Sequence, residues 1–197
     1  MKTNVSGNIT DSLVNAGVVP SEDKELYEYG VRQGIIMIIN LVTVILIGMV
    51  FGMIAQCIAF MIAYIPVRTY AGGYHAGTQL TCYVLSIPFM ALALIGIKMI
   101  PWNGYICVAV LLFAGMVLFK LAPVEDLNKP LRQIEIVVYR KKSLIIAAVV
   151  GCAAVLFWLA DMEQISASII MALFMIAVML ILGVFKNNKI KVKEEKA

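Results

Sequence analysis

The chain has 197 residues, 62% of them hydrophobic and only 14% charged, with a mean hydropathy of +0.93. Soluble domains carry roughly a quarter charged residues, so this composition excludes an ordinary soluble protein and predicts an all-α, polytopic membrane protein forming one domain over residues 1–197. The net charge is +4, and most basic residues lie in two clusters, Lys120 to Lys142 and Lys186 to Lys196. Beside membrane spans such clusters mark the cytoplasmic side, not a nucleic-acid site.

Residues 1–31 read as a cytoplasmic N-terminal region, and the polar stretch after Met1-Lys2 gives no reason to expect a cleavable signal. Within it Val5, Ile9 and Leu13 recur every four residues, so an amphipathic segment lying on the membrane surface is expected. Pro20-Ser21 then signals a helix start. Ser21 is a candidate cap, and Glu22, Asp23 and Glu25 suit the positive end of the helix dipole.

No charge occurs from Gln33 to Val67. One helix of that length would be about 50 Å long, against about 30 Å of hydrocarbon. Two spans are therefore assigned, 32–48 and 52–67, with a turn at Gly48 to Gly52; a single tilted helix is the alternative. The third span is Leu80 to Ile97. The fourth is Trp102 to Phe119, after a turn at Pro101 that places Trp102 at the interface. Residues 120–142 read as a polar loop, Ser143 to Ala160 as the fifth span, Ile165 to Phe185 as the sixth, and 186–197 as a disordered charged tail. Lys and Arg counts then place both termini and the 68–79 segment on the cytoplasmic side.

Between the second and third spans lies Arg68-Thr69-Tyr70-Ala71-Gly72-Gly73-Tyr74-His75-Ala76-Gly77-Thr78-Gln79-Leu80-Thr81-Cys82, which holds the chain's one histidine. Ionisable groups at this depth are costly and point to function. His75 and Cys82 are a candidate base and nucleophile. On one unbroken helix their separation of seven residues would be about 10.5 Å, whereas a hydrogen bond needs about 3 Å. If they act together the chain between them must turn, and Gly72, Gly73 and Gly77 permit that. Cys82 would then open the third helix, whose positive end favours a thiolate. The bland readings are a packing cysteine and a histidine that caps a helix.

Arg68 either snorkels to headgroups or binds a substrate carboxylate. Tyr70 and Tyr74 read as interface aromatics, and Ser86, one turn after Cys82, as a hydroxyl bonded to nearby backbone. Cys57, Cys107 and Cys152 read as small packing residues. The four cysteines form no CxxC, so no metal site, redox motif or cofactor is expected. The loop Ala122-Pro123-Val124-Glu125-Asp126-Leu127-Asn128-Lys129-Pro130 is either a solvated connection or a docking element, with Glu125 or Asp126 orienting His75.

The run Arg68 to Ala76, followed by Cys82 and Ser86, resembles the signature of the accessory gene regulator protein B family. Those are membrane peptidases that mature quorum-sensing peptides in Gram-positive bacteria. The Ala122-Pro123…Asn128-Lys129-Pro130 loop and Glu28-Tyr29-Gly30 are similar to further segments of that family. The resemblance implies a cysteine endopeptidase of the cell membrane that cleaves a precursor peptide on its C-terminal side and promotes a cyclic thiolactone. It implies Cys82 as nucleophile and His75 as general base, with Arg68, Gly72 and Gly73 supporting the site. Lys129 would contact the precursor's acidic C-terminal part, and the protein would be a homodimer in the lipid bilayer.

Thiol chemistry suits that product. A thioester on cysteine exchanges with an internal thiol at nearly even energy, whereas an oxygen ester on serine lies downhill from a thiolactone. The competing readings are a non-catalytic peptide exporter and a membrane scaffold. Coupled transport predicts ionisable residues at span centres, and these are nearly free of charge. A redox role lacks a nearby resolving cysteine.

Overall fold

The computed structural model describes residues 5–74, 79–125 and 132–194. The described residues form α1 (Val5–Asn15), a 3-10 turn (Ser21–Asp23), α2 (Lys24–Val50), α3 (Ile54–Ala71), α4 (Gln79–Met99), α5 (Gly104–Leu121), α6 (Gln133–Leu159) and α7 (Glu163–Glu194). Among them, six helices are long and apolar enough to cross a membrane. The all-α, six-span reading therefore holds.

The chain divides into two compact units, Met1–Val44 and Ile45–Ala197. In the first unit, α1 exposes Val5 and Ile9 and buries Ser6, Gly7 and Thr10. Val5 and Ile9 therefore share the exposed face of α1, with Leu13 partly exposed. Thr10 satisfies its hydroxyl on the Ser6 carbonyl at 2.9 Å, and Lys24 pairs with Asp11 at 2.6 Å across an exposed surface. Ser21 does not cap α2 through its side chain; it lies inside the 3-10 turn that precedes the helix.

In the second unit α7 is the central helix. Buried positions make up 61% of its apolar window, against 17% to 28% for α3, α4, α5 and α6. Val67 and Ala71 of α3 and Ala114 and Leu118 of α5 pack on Leu173, Ile176, Ala177 and Leu180 of α7. Lipid is as apolar as leucine, so this fit is held by close van der Waals contact and buried hydrogen bonds, not by expulsion of water. One such bond joins Ser166 to the Ala154 carbonyl of α6 at 2.8 Å. The outer faces of α4, α5 and α6 carry exposed residues such as Leu92, Leu112 and Val149, as lipid-facing helices should.

The charge-free run is two helices. α2 ends before Gly52, whose φ of +66° suits glycine. Gly48 lies so close to α3 that a Cβ there would meet the Cys57 Cβ at 2.9 Å. After Trp102, Asn103 caps α5 by accepting from the Ile106 N–H at 2.9 Å.

Two boundaries differ from the sequence reading. α6 begins at Gln133, so residues 133–142 are helix, not loop. The Glu135 carboxylate accepts the Arg132 N–H at 2.8 Å, and the lysines and arginine that follow are good helix formers. α7 continues through Glu194 where a disordered tail is expected. Once a helix is nucleated, each added residue costs little, and Lys and Glu favour propagation.

Candidate active site at the basic end of the bundle

Where α3 and α5 end beside the middle of α7, three short backbone segments interlock. Gly72 ends α3 with φ +68° and ψ −143°, and its N–H donates to the Arg68 carbonyl at 3.1 Å. The chain leaves in an extended path and forms an isolated parallel bridge between Gly72 and Val124. In it the Val124 N–H donates to the Ala71 carbonyl at 2.9 Å, and the Gly73 N–H donates to the Val124 carbonyl at 3.0 Å. The Tyr74 N–H then donates to the Met179 carbonyl of α7 at 2.9 Å.

Glycine is required for this approach. A Cβ on Gly72 would lie 2.1 Å from the Val124 oxygen. One on Gly73 would meet Arg68 Nη1 at 2.5 Å and the Met179 oxygen at 2.9 Å. Gly183 of α7 faces the same crossing, and its own Cβ would fall 2.8 Å from both the Gly73 carbonyl carbon and the Tyr74 nitrogen.

Arg68 turns inward. Its Nη2 donates to the Tyr74 carbonyl oxygen, while Nη1 is buried without a hydrogen-bond partner among the described residues. A buried unmade hydrogen bond costs about 1–3 kcal/mol, so the guanidinium is open to an acceptor, and the snorkelling reading does not describe it. Tyr74 thus has its N–H held by α7 and its carbonyl held by Arg68. His75, the next residue, lies outside the described residues, as do Asp126 and Lys129.

Cys82 is the fourth residue of α4, is exposed, and is a free thiol. The Arg68 guanidinium and the Cys82 thiol are both electrostatic neighbours of Tyr64. Tyr64 stacks on Phe60 with centroids 5.4 Å apart and tilts against Phe89 of α4 at 5.8 Å. Sequence reasoning missed Tyr64, although it stands four residues before Arg68 on the same helix face. Gly183 was missed as well; a lone glycine inside a span is its only signal.

The remaining assignments are sorted by these contacts. Ser86 donates to the Tyr83 carbonyl at 2.7 Å, the backbone role expected of it. The Glu125 carbonyl accepts from Asn187 at 2.9 Å, which ties the loop to the extended end of α7. Tyr70 and Tyr74 are not simple interface aromatics. Tyr70 meets the Tyr139 ring edge-on at 5.7 Å and has Lys142 Nζ 5.0 Å from its centroid, while Lys186 lies 5.4 Å from the Tyr74 ring. One lysine from each basic cluster therefore packs on a tyrosine of this segment. Cys57 and Cys107 are buried as expected, but Cys152 is exposed and lines a cavity.

Six apolar helices long enough to span a membrane, an exposed thiol at the start of α4, a glycine-built crossing and an inward arginine define a multi-pass membrane protein with a candidate nucleophile. Residues 6–182 match the family model for Accessory gene regulator B, and the chain belongs to that family. It is similar to AgrB-like protein 2 of Clostridium perfringens (strain 13 / Type A), at 27% identity over 139 residues, covering 67% of this chain and 65% of that protein. An AgrB-like protein of Listeria innocua serovar 6a is 28% identical over 113 residues, covering 56% of this chain and 55% of the relative. The chain thus aligns with somewhat less than two thirds of the length of these curated relatives. No solved structure matches it.

Proposed function

We propose that the protein is a membrane cysteine endopeptidase that processes a quorum-sensing precursor peptide. The observation that carries this reading is the exposed Cys82 thiol in the first turn of α4, which shares Tyr64 as an electrostatic neighbour with Arg68. The pinning of Tyr74, the neighbour of His75, supports it.

In this reading Cys82 sulfur attacks the scissile carbonyl and the C–N bond breaks. His75 takes the thiol proton and returns it to the leaving amine, so the C-terminal piece departs and a thioester remains. A thiol within the precursor then attacks the thioester, forms the thiolactone and returns the Cys82 thiol. Neither step consumes an external energy source. The orphan nitrogen of Arg68 would receive a substrate carboxylate or carbonyl oxygen. Gly72, Gly73 and Ser86 keep the scaffold, and Glu125 or Asp126 would orient His75. Lys129, with Lys142 and Lys186, would attract an acidic C-terminal segment of the precursor. Both termini and the site face the cytoplasm, and the working form is a homodimer in the cell membrane.

The test mixes purified protein in lipid with precursor and weighs the protein. A hydroxylamine-sensitive adduct is expected in wild type and absent from Cys82→Ala and His75→Ala. Combined replacement of Cys57, Cys107 and Cys152 by alanine should retain it. Efficient cleavage by Cys82→Ala would end this reading in favour of an exporter or scaffold.

A further inference from the structure

Helices α5 and α6 make few contacts with each other. Between them runs a cavity of about 810 Å³, floored by Leu173 of α7 and walled by Leu118 and Phe119 on one side and Ala147, Gly151 and Leu156 on the other. Its rim is open, since Phe119 and Leu156 are 62% and 66% exposed. A smaller cavity of about 110 Å³ continues it toward Trp158 and shares Leu111 and Val155 with it. Both lie within apolar windows long enough to span a bilayer. The α6 wall runs from Leu144 to Leu156, which is about 18 Å of helix rise, close to one leaflet of an approximately 30 Å hydrocarbon core.

The two ends of this groove differ. One turn before Leu144 stands Arg140, on the same stripe of α6. Its guanidinium donates to the Phe119 carbonyl at 3.2 Å and lies 5.8 Å from the Phe119 ring centroid, so it reaches across from α6 to α5 and closes that end. Lys120 and Lys141, both exposed, are the chain neighbours of Phe119 and Arg140, and Arg140 has no carboxylate partner among the described residues. The opposite end approaches Asp161 and Glu163. The groove is therefore apolar along its length, one leaflet long, cationic where it is closed and acidic beyond its far end.

We propose that this groove holds one acyl chain of an anionic phospholipid, with its phosphate on Arg140. The guanidinium uses one N–H on Phe119 and has others for phosphate oxygens, which its planar fork suits. A hydrocarbon chain needs no hydrogen bonds and fills a narrow apolar slot, whereas a peptide helix would have to run past the Arg140 crossing. The site is separate from the proposed peptidase residues, so it stands or falls independently of cleavage.

The experiment uses the full chain in mild detergent, given equal amounts of phosphatidylglycerol and phosphatidylcholine, and counts retained lipid by native mass spectrometry. One retained phosphatidylglycerol is expected. Arg140→Gln should lower the preference for the anionic lipid about fivefold, as expected for one interfacial charge. Because Arg140 is exposed, this variant leaves the core intact. Gly151→Phe fills the slot and should abolish retention of either lipid, with circular dichroism confirming its helix content. Phosphatidylglycerol carrying a photoactivatable acyl chain should label residues between Leu144 and Leu156. Equal retention of both lipids by wild type and Arg140→Gln would overturn the proposal. So would labelling confined to other helices, or crosslinking of this groove to a second copy or to the precursor in place of lipid.

Discussion

Gly183 of α7 lies so close to Gly73 that a Cβ on Gly183 would stand 2.8 Å from the Gly73 carbonyl carbon. The obstructing atoms are backbone, which cannot swing aside as a flexible side chain can. Gly183→Ala should therefore destabilise the protein by about 1–3 kcal/mol, the usual cost of overpacking, and displace Tyr74 from Met179. Gly34→Ala is the matched control, because nothing lies within 4 Å of its Cβ position; with better helix propensity it should be neutral or stabilising. Thermal unfolding in detergent and precursor cleavage are compared. Equal behaviour of the two variants would remove Gly183 from the account.

Tyr64→Phe keeps the ring stacked on Phe60 and removes only the hydroxyl, whose electrostatic neighbours are Arg68 and Cys82. Folding should be retained. The turnover rate should fall about tenfold, equivalent to about 1.4 kcal/mol of transition-state stabilisation, with little change in KM. A variant as active as wild type would leave Tyr64 a packing residue.

The cysteines give a test of membrane depth. Cys82 and Cys152 are both exposed, but Cys82 opens α4 whereas Cys152 lies well inside α6. A charged, water-soluble maleimide should modify Cys82 in vesicles with the cytoplasmic face outermost and leave Cys152 untouched; an apolar maleimide should reach both. Cys57 and Cys107 should resist either reagent until the protein unfolds. Rapid modification of Cys152 by the charged reagent would contradict the placement of α6 in the bilayer.

If basic residues steer an acidic precursor, Lys129→Glu should weaken binding more than it slows the bound precursor's cleavage. Lys142→Gln and Lys186→Gln should act in the same direction more mildly, since each also leaves a tyrosine face uncovered. Raised salt should weaken binding to wild type and compress these differences. Affinities measured at low salt that do not change with Lys129→Glu would exclude the docking role.

Hydropathy made the six spans legible, and the glycine pair at the end of α3 signalled a break in the helix before Cys82. The start of α6 and the end of α7 were not legible, because lysine and arginine serve equally well in a loop and in an exposed helix. Propensity and polarity point opposite ways there, and in residues 133–142 and 186–194 the helix wins. Arg68 shows the other limit. Its place at a span end suits a headgroup contact, but the Tyr74 carbonyl, brought close by the turn at Gly72, draws it inward. Tyr64 and Gly183 have meaning only through residues distant in the chain, so neither could be singled out by local pattern.

The crossing that holds Tyr74 is tied by the amide groups of Ala71, Gly73, Val124 and Met179. Every residue type except proline carries the same amide groups, so Val124 and Met179 can be exchanged for other apolar residues without breaking the ties. The three glycines cannot be exchanged in that way, because each is defined by the side chain it lacks. Sequence drift should therefore fall unevenly on this corner: saturation mutagenesis under selection for function would find broad tolerance at 124 and 179 and almost none at 72, 73 and 183. A lineage could replace most of its surrounding letters and still inherit the same corner.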